Sequence, residues 1–198
     1  MADGHHRVEQ VIVMLRFVAC VVLFTPCGIS TADEISGVQV PERIDAEGSA
    51  LVLNGAGIRS KTVFRVRVYV AALYLKEKCT DAARIIQSDE PRVIWLHFLR
   101  DISGSDLRDS IRVQFRKLAD FESLKARVDE LCRHLPSVRS GQRIRLVAVD
   151  ESLSMFVDDR KVCTIAGKDL CDAVLAIYVG SNPVEPRLRD ALLNQTRN

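Results

Sequence analysis

The sequence predicts an α+β domain: an antiparallel β-sheet with helices packed on one face, an open-faced β-sandwich. Three observations carry this. Residues 63–70 alternate apolar and polar side chains with the period of a strand. Residues 92–100 are apolar on both sides of that alternation, as in a central strand covered on each face. Three later segments repeat apolar residues at helical spacing. Strands come first, helices in the middle, then strands again, which suits hairpin-linked strands under a helical layer.

Val38-Gln39-Val40 is a short first strand in a polar run broken by Pro41. Residues 51–75 (LVLNGAGIRSKTVFRVRVYVAALYL) read as two strands joined by a tight connection at Asn54, Gly55 and Gly57, residues that allow backbone shapes a branched residue resists. Arg59 follows the glycines, between two apolar strands. A guanidinium at the mouth of an apolar sheet is a candidate anion anchor; the plainer reading is a surface charge at a hairpin corner. Beyond it, Phe64, Val66, Val68 and Val70 face one way, and Arg65, Arg67 and Tyr69 the other.

Thr80 is placed to cap a short helix over 81–87. In the strand at 92–100, Ile94, Leu96 and Phe98 share one face and Val93, Trp95, His97 and Leu99 the other. His97 reads as a partly buried imidazole, since no Ser, Cys or acid is placed beside it in a readable motif. A turn at 101–105 opens a helix marked by Leu107, Ile111, Phe115 and Leu118. Gln114 lies on that apolar stripe, and an amide there needs a buried partner or a wet cavity. Asp120 caps a second helix, with Phe121, Leu124, Val128, Leu131 and Leu135 on its buried side and Pro136 as its stop. A strand at 142–149 and a hairpin over Asp158-Asp159-Arg160 precede a helix at 168–179, with Gly180 at its C′ position. A short amphipathic helix at 184–193 closes the chain.

The chain has 198 residues and a formal net charge of +2. One domain with a sizeable core is expected. Interleaved charges and few aromatics exclude a nucleic-acid partner. No CxxC pair is present and the histidines are scattered, so neither a metal nor a cofactor is implied.

Residues 1–32 read as a signal peptide. FVACVVLF (17–24) is too short to span a bilayer, Arg16 precedes it, and Ser30-Thr31-Ala32 offers the small residues a signal peptidase needs. Met14-Leu15-Arg16 is itself a compact start to such a leader. The mature domain, 33–198, is expected to be periplasmic or secreted, without a stable membrane span. Four cysteines stay with it, Cys79, Cys132, Cys163 and Cys171; an even number in an oxidising compartment leaves one disulfide as open as four free thiols.

NGAGIRSK followed by VFRVRVYVAALYL, with GVQVPERI before it and PRVIWLHFLRDIS, DRKVCTIAGKDLCDAVLAIYVGSNP and LRDALL after it, resembles the bacterial chalcone isomerase-like family from about Gly37 to the C-terminus. The resemblance implies the chalcone isomerase fold, with a ligand cleft between sheet and helices. Plant enzymes of the fold cyclise a chalcone to a flavanone, holding the phenolate and developing enolate with an arginine, which matches Arg59. Their strand threonine falls near Tyr69, their helix tyrosine on Leu107, their helix asparagine on Gln114 and their late threonine near Ile177. The cation is kept, the amide is longer, and the hydroxyls at Leu107 and Ile177 are lost. Other relatives bind fatty acids or haem, ligands with an apolar body and a carboxylate.

The expectation is therefore an exported, non-catalytic binder of a small amphipathic carboxylated ligand of fatty-acid or haem type. Arg59, Tyr69, Gln114, Arg67 and Ile177 are its candidate contacts. Two alternatives stand beside it: an intramolecular lyase or isomerase acting on an enone, with Arg59 as candidate catalytic group, and a structural or partner-binding protein whose cleft is filled by its own side chains.

Overall fold

The computed structural model describes residues 33–61 and 66–195. The expected leader lies outside them, as do Phe64 and Arg65. A small sheet pairs β1 (Asp33–Ile35) with β2 (Val38–Val40). Seven strands then form one antiparallel meander in chain order: β3 (Arg43–Ala46), β4 (Ser49–Lys61), β5 (Val66–Leu75), β6 (Arg92–Phe98), β7 (Arg143–Val149), β8 (Ser152–Val157) and β9 (Arg160–Ala166). Helix α1 (Ala82–Gln87) follows β5, α2 (Gly104–Phe115) and α3 (Phe121–His134) follow β6, and α4 (Lys168–Val179) and α5 (Pro186–Leu192) follow β9.

The period of two sorts the side chains into two cores. Ala71, Leu73 and Leu75 of β5, Ile94, Leu96 and Phe98 of β6, and Ile144, Leu146 and Ala148 of β7 bury against the helices. Val70, Ala72, Tyr74, Val93, Trp95 and Val147 face the other way and pack with Val38 and Val40 of the small sheet. There the Tyr74 hydroxyl donates to the Pro41 carbonyl at 2.8 Å. Strand β6 is fourth of seven and apolar on both faces, as its composition predicts. The fold is the expected α+β class, an antiparallel sheet with its helices on one face.

Two local expectations are overturned, and both bear on the site. Asn54, Gly55 and Gly57 are not a turn. Strand β4 continues through them to Lys61, with a β-bulge at Asn54. Helix α5 lies so close to this stretch that a Cβ at Gly55 would sit 2.2 Å from the Ala191 carbonyl oxygen, and one at Gly57 would sit 2.7 Å from the Ala191 Cβ. The glycines serve close approach of a helix, not a left-handed turn. Asn54 pins the same helix, its side-chain amide donating to the Leu192 carbonyl at 2.8 Å while its oxygen accepts from the Cys79 N–H at 2.7 Å.

The second correction is a β-bulge. Arg59 pairs with Tyr69 but Ser60 pairs with Arg67, so Val68 is an extra residue on β5. The alternation slips there: Val68 joins Tyr69 in the core under the helices. Arg67, expected beside Tyr69, instead donates to the Ser36 hydroxyl at 2.9 Å in the turn of the small sheet. Smaller corrections concern helix ends. Asp81, not Thr80, caps α1, accepting from the N–H groups of Ala83 and Arg84. Gly180 ends α4 with φ −73°, not left-handed. Cys79, Cys132, Cys163 and Cys171 are free thiols.

Candidate ligand-binding site

Gly55, Gly57 and Arg59 alternate onto one face of β4. The two glycines admit α5, and Arg59 comes just past its reach. Helix α5 fixes this stretch at both ends: Asn54 holds Leu192, and the Glu185 carboxylate accepts from the Ser60 N–H at 2.8 Å. The backbone on either side of Arg59 is thus tied down, and its guanidinium is directed into the space between sheet and helices.

Two cavities meet at this arginine. An outer vestibule of about 300 Å³ is lined by Arg59, Lys61, Val66, Arg100, Asp101 and Asp106, among others. An inner throat of about 50 Å³ is lined by Leu96 and Leu146 from the sheet, Ile111, Gln114 and Phe115 from α2, Leu131 from α3, and Val174, Ile177 and Tyr178 from α4. Arg59, Tyr69, Leu107 and Ser110 line both, so they form the neck. The vestibule mixes charged side chains (Lys61, Arg100, Asp101, Asp106) with apolar walls (Val66, Val68, Ile102, Leu107), whereas the throat is almost wholly apolar.

Of the five expected contacts, the structure brings together Arg59, Tyr69, Gln114 and Ile177, and the bulge removes Arg67. Gln114 is half-buried, and its side-chain oxygen accepts from Lys117 at 3.1 Å. The Arg59 guanidinium lies over the Tyr69 ring at 5.6 Å and donates to its hydroxyl at 3.4 Å, a long and weak bond. Tyr69 packs edge-on to Phe98, centroids 5.7 Å apart. Its hydroxyl also neighbours that of Tyr178. Burial, then this neighbouring phenol, holds the Tyr178 hydroxyl well above the ordinary phenol range, against the opposing pull of Arg59. Tyr178 therefore stays protonated at neutral pH.

The charge of Arg59 stands apart. Among the described residues three arginines carry a buried Nε without a hydrogen-bond partner: Arg59, Arg92 and Arg145. Arg92 pairs with Asp172 at 3.2 Å and Arg145 with Asp159 at 3.5 Å. Arg59 makes no ion pair among the described residues. A cation facing an apolar cavity with a neutral phenol as its partner is poised for an anion. Among the described residues the throat's lining offers no carboxylate, imidazole or thiol; its polar groups are the Arg59 guanidinium, the Tyr69 and Tyr178 phenols, the Ser110 hydroxyl and the Gln114 amide. Among the described residues no group of His, Cys, Asp and Glu side chains is arranged to hold a metal.

Sequence reasoning missed three parts of this site. Ser110, one turn after Leu107, brings a hydroxyl to the neck. Glu185 and Ala191 set β4 from a helix more than a hundred residues away. Only the near-continuous apolar character of Leu188, Ala191, Leu192 and Leu193 hinted that this last helix docks.

An antiparallel sheet roofed by helices, with a half-buried arginine at the neck of an apolar throat, defines a cleft-bearing α+β domain. The family model described as chalcone isomerase-like matches residues 32–194, and the chain belongs to that family. Among solved structures it is similar to a fatty-acid binding protein of Arabidopsis thaliana, with a TM-score of 0.64 and 16% identity, over 82% of this chain and 95% of that one. That likeness concerns the fold. No curated protein matches.

Proposed function

We propose that this protein is a non-catalytic binder of a small amphipathic carboxylate, held with its anionic end on Arg59 and its apolar end in the throat. The observation that carries this reading is the unpaired Arg59 guanidinium at the boundary between a partly charged vestibule and an apolar cavity. The fatty-acid binding activity in the name of the Arabidopsis neighbour agrees with it. A throat of about 50 Å³ favours an alkyl acid over a tetrapyrrole.

Titration calorimetry with hexanoate tests the reading. Wild-type protein binds and Arg59→Ala binds far more weakly; equal affinity in the two proteins sinks it. Cyclisation of a model chalcone at a rate that Arg59→Ala abolishes would favour the isomerase instead. Tyr69, whose hydroxyl faces Arg59, would then be the first candidate for the missing hydroxyl.

Export is the second part of the proposal. FVACVVLF followed by Ser30-Thr31-Ala32 supports it, and the family match begins at residue 32, just where such a leader would end. No helix among the described residues is long and apolar enough to cross a membrane.

A further inference from the structure

The two cavities differ about sixfold in size, and the smaller is the apolar one. We infer that the site takes acids with a short apolar part, up to about six carbons in all, and that Phe115, Leu131 and Val174 set this ceiling. The inference rests on the carboxylate reading above and specifies its ligand class.

An apolar cavity of about 150 Å³ accommodates one benzene ring. A throat of about 50 Å³ therefore takes only the first few carbons of a chain whose carboxylate sits on Arg59. Its walls have little room to retreat. Phe115, Leu131 and Val174 come from three different helices, and each is no more than 2% exposed. Leu96 and Leu146 form the floor on adjacent central strands, paired across β6 and β7 with Ile144 and Ile94. Tightly packed interiors resist extra methylenes. Carbons beyond those that fill the throat must either bend back past Arg59 into the vestibule or stay in water. The vestibule is a weaker host for them: Val66, Val68, Ile102 and Leu107 give it apolar walls, but Lys61, Arg100, Asp101 and Asp106 share that lining and would lose hydration under an alkyl chain. Typical pockets for drug-sized ligands are roughly 300–1,000 Å³ and mainly apolar. At this site that much space lies on the vestibule side of Arg59, where four other charged side chains share the lining.

Calorimetric titration of the full-length protein with butyrate, hexanoate, octanoate, dodecanoate and palmitate, each below its micelle concentration, tests this. Affinity is expected to rise to four or six carbons and then stay level or fall. Phe115→Leu, which shortens one wall while keeping it apolar, should move the optimum to a longer chain and raise dodecanoate affinity at least threefold. If Phe115→Leu does not fold, the wild-type series alone decides. Affinity climbing steadily to palmitate overturns the ceiling and leaves the carboxylate reading standing. An optimum at six carbons or fewer that Phe115→Leu leaves unmoved overturns the role of these walls. Binding of none of the five acids overturns the ceiling and the carboxylate reading together.

Discussion

Arg59 is where a single residue decides the chemistry. Its side chain gives up water on one side and gains only a long hydrogen bond and a ring face in return. A bound carboxylate would complete it. Truncating one partner of such a pair costs on the order of 2–5 kcal/mol. Arg59→Ala should therefore weaken hexanoate binding by a factor of roughly 30 or more, since about 1.4 kcal/mol is tenfold. Arg59→Lys should recover only part, because an ammonium does not reproduce the planar fork. Gln114 makes the contrasting case. Its amide oxygen accepts from Lys117 across one turn, and the residue is half-buried. Gln114→Leu should reduce ligand affinity with little change in the urea midpoint. A loss of stability near the about 1–3 kcal/mol of a deserted buried partner would instead make it a core residue.

Among elements, the pairing of α5 with β4 matters most. The two glycines and Asn54 form a platform for this one short helix, and the platform also orients Arg59. Gly55→Ala places a methyl against backbone carbonyls that cannot rotate away. It should destabilise the protein by about 1–3 kcal/mol, as overpacking does, and lower ligand affinity as well because Arg59 moves with β4. Denaturant melts of this variant beside Gly37→Ala, whose Cβ meets nothing within 4 Å although its φ is +78°, would separate close approach from backbone strain. On the far side of the sheet, β6 and β7 set His97 opposite Arg143. Burial, then Arg143, lowers the imidazole pKa, and Asp158 pulls the other way. A group whose pKa is lower in the folded state takes up its proton first in the unfolded chain. Its contribution is thus intact above the unfolded value of about 6.5 and is lost as pH falls below it. The urea midpoint of wild type should drop more steeply between pH 7 and 5 than that of His97→Gln.

At the scale of the whole molecule the question is where the protein works. If residues 1–32 are a cleaved leader, N-terminal sequencing of protein from its native host should begin near Asp33. Full-length protein retained in the cytoplasm would end the export proposal. The binding site does not depend on this outcome, since every residue lining throat and vestibule lies between Arg59 and Val184.

The sequence by itself determined the fold class, the central place of β6, the helical stripes and the family, because each depends on a local period or an ordered set of motifs. It also picked Arg59, Tyr69, Gln114 and Ile177, three strand and helix positions around an arginine, from the family resemblance. Only the tertiary structure decided what the glycines are for. A glycine that makes room for a distant helix looks the same in sequence as one that makes a turn, and the partner, Ala191, is remote in the chain. Arg67 was lost for a related reason. One extra residue at Val68 reverses every later inside-outside assignment on a strand, and the alternating pattern carries no mark of where the count slips. The size of the throat was equally hidden, since it is the space left over when side chains from four strands and three helices close on one another, and no one segment encodes it.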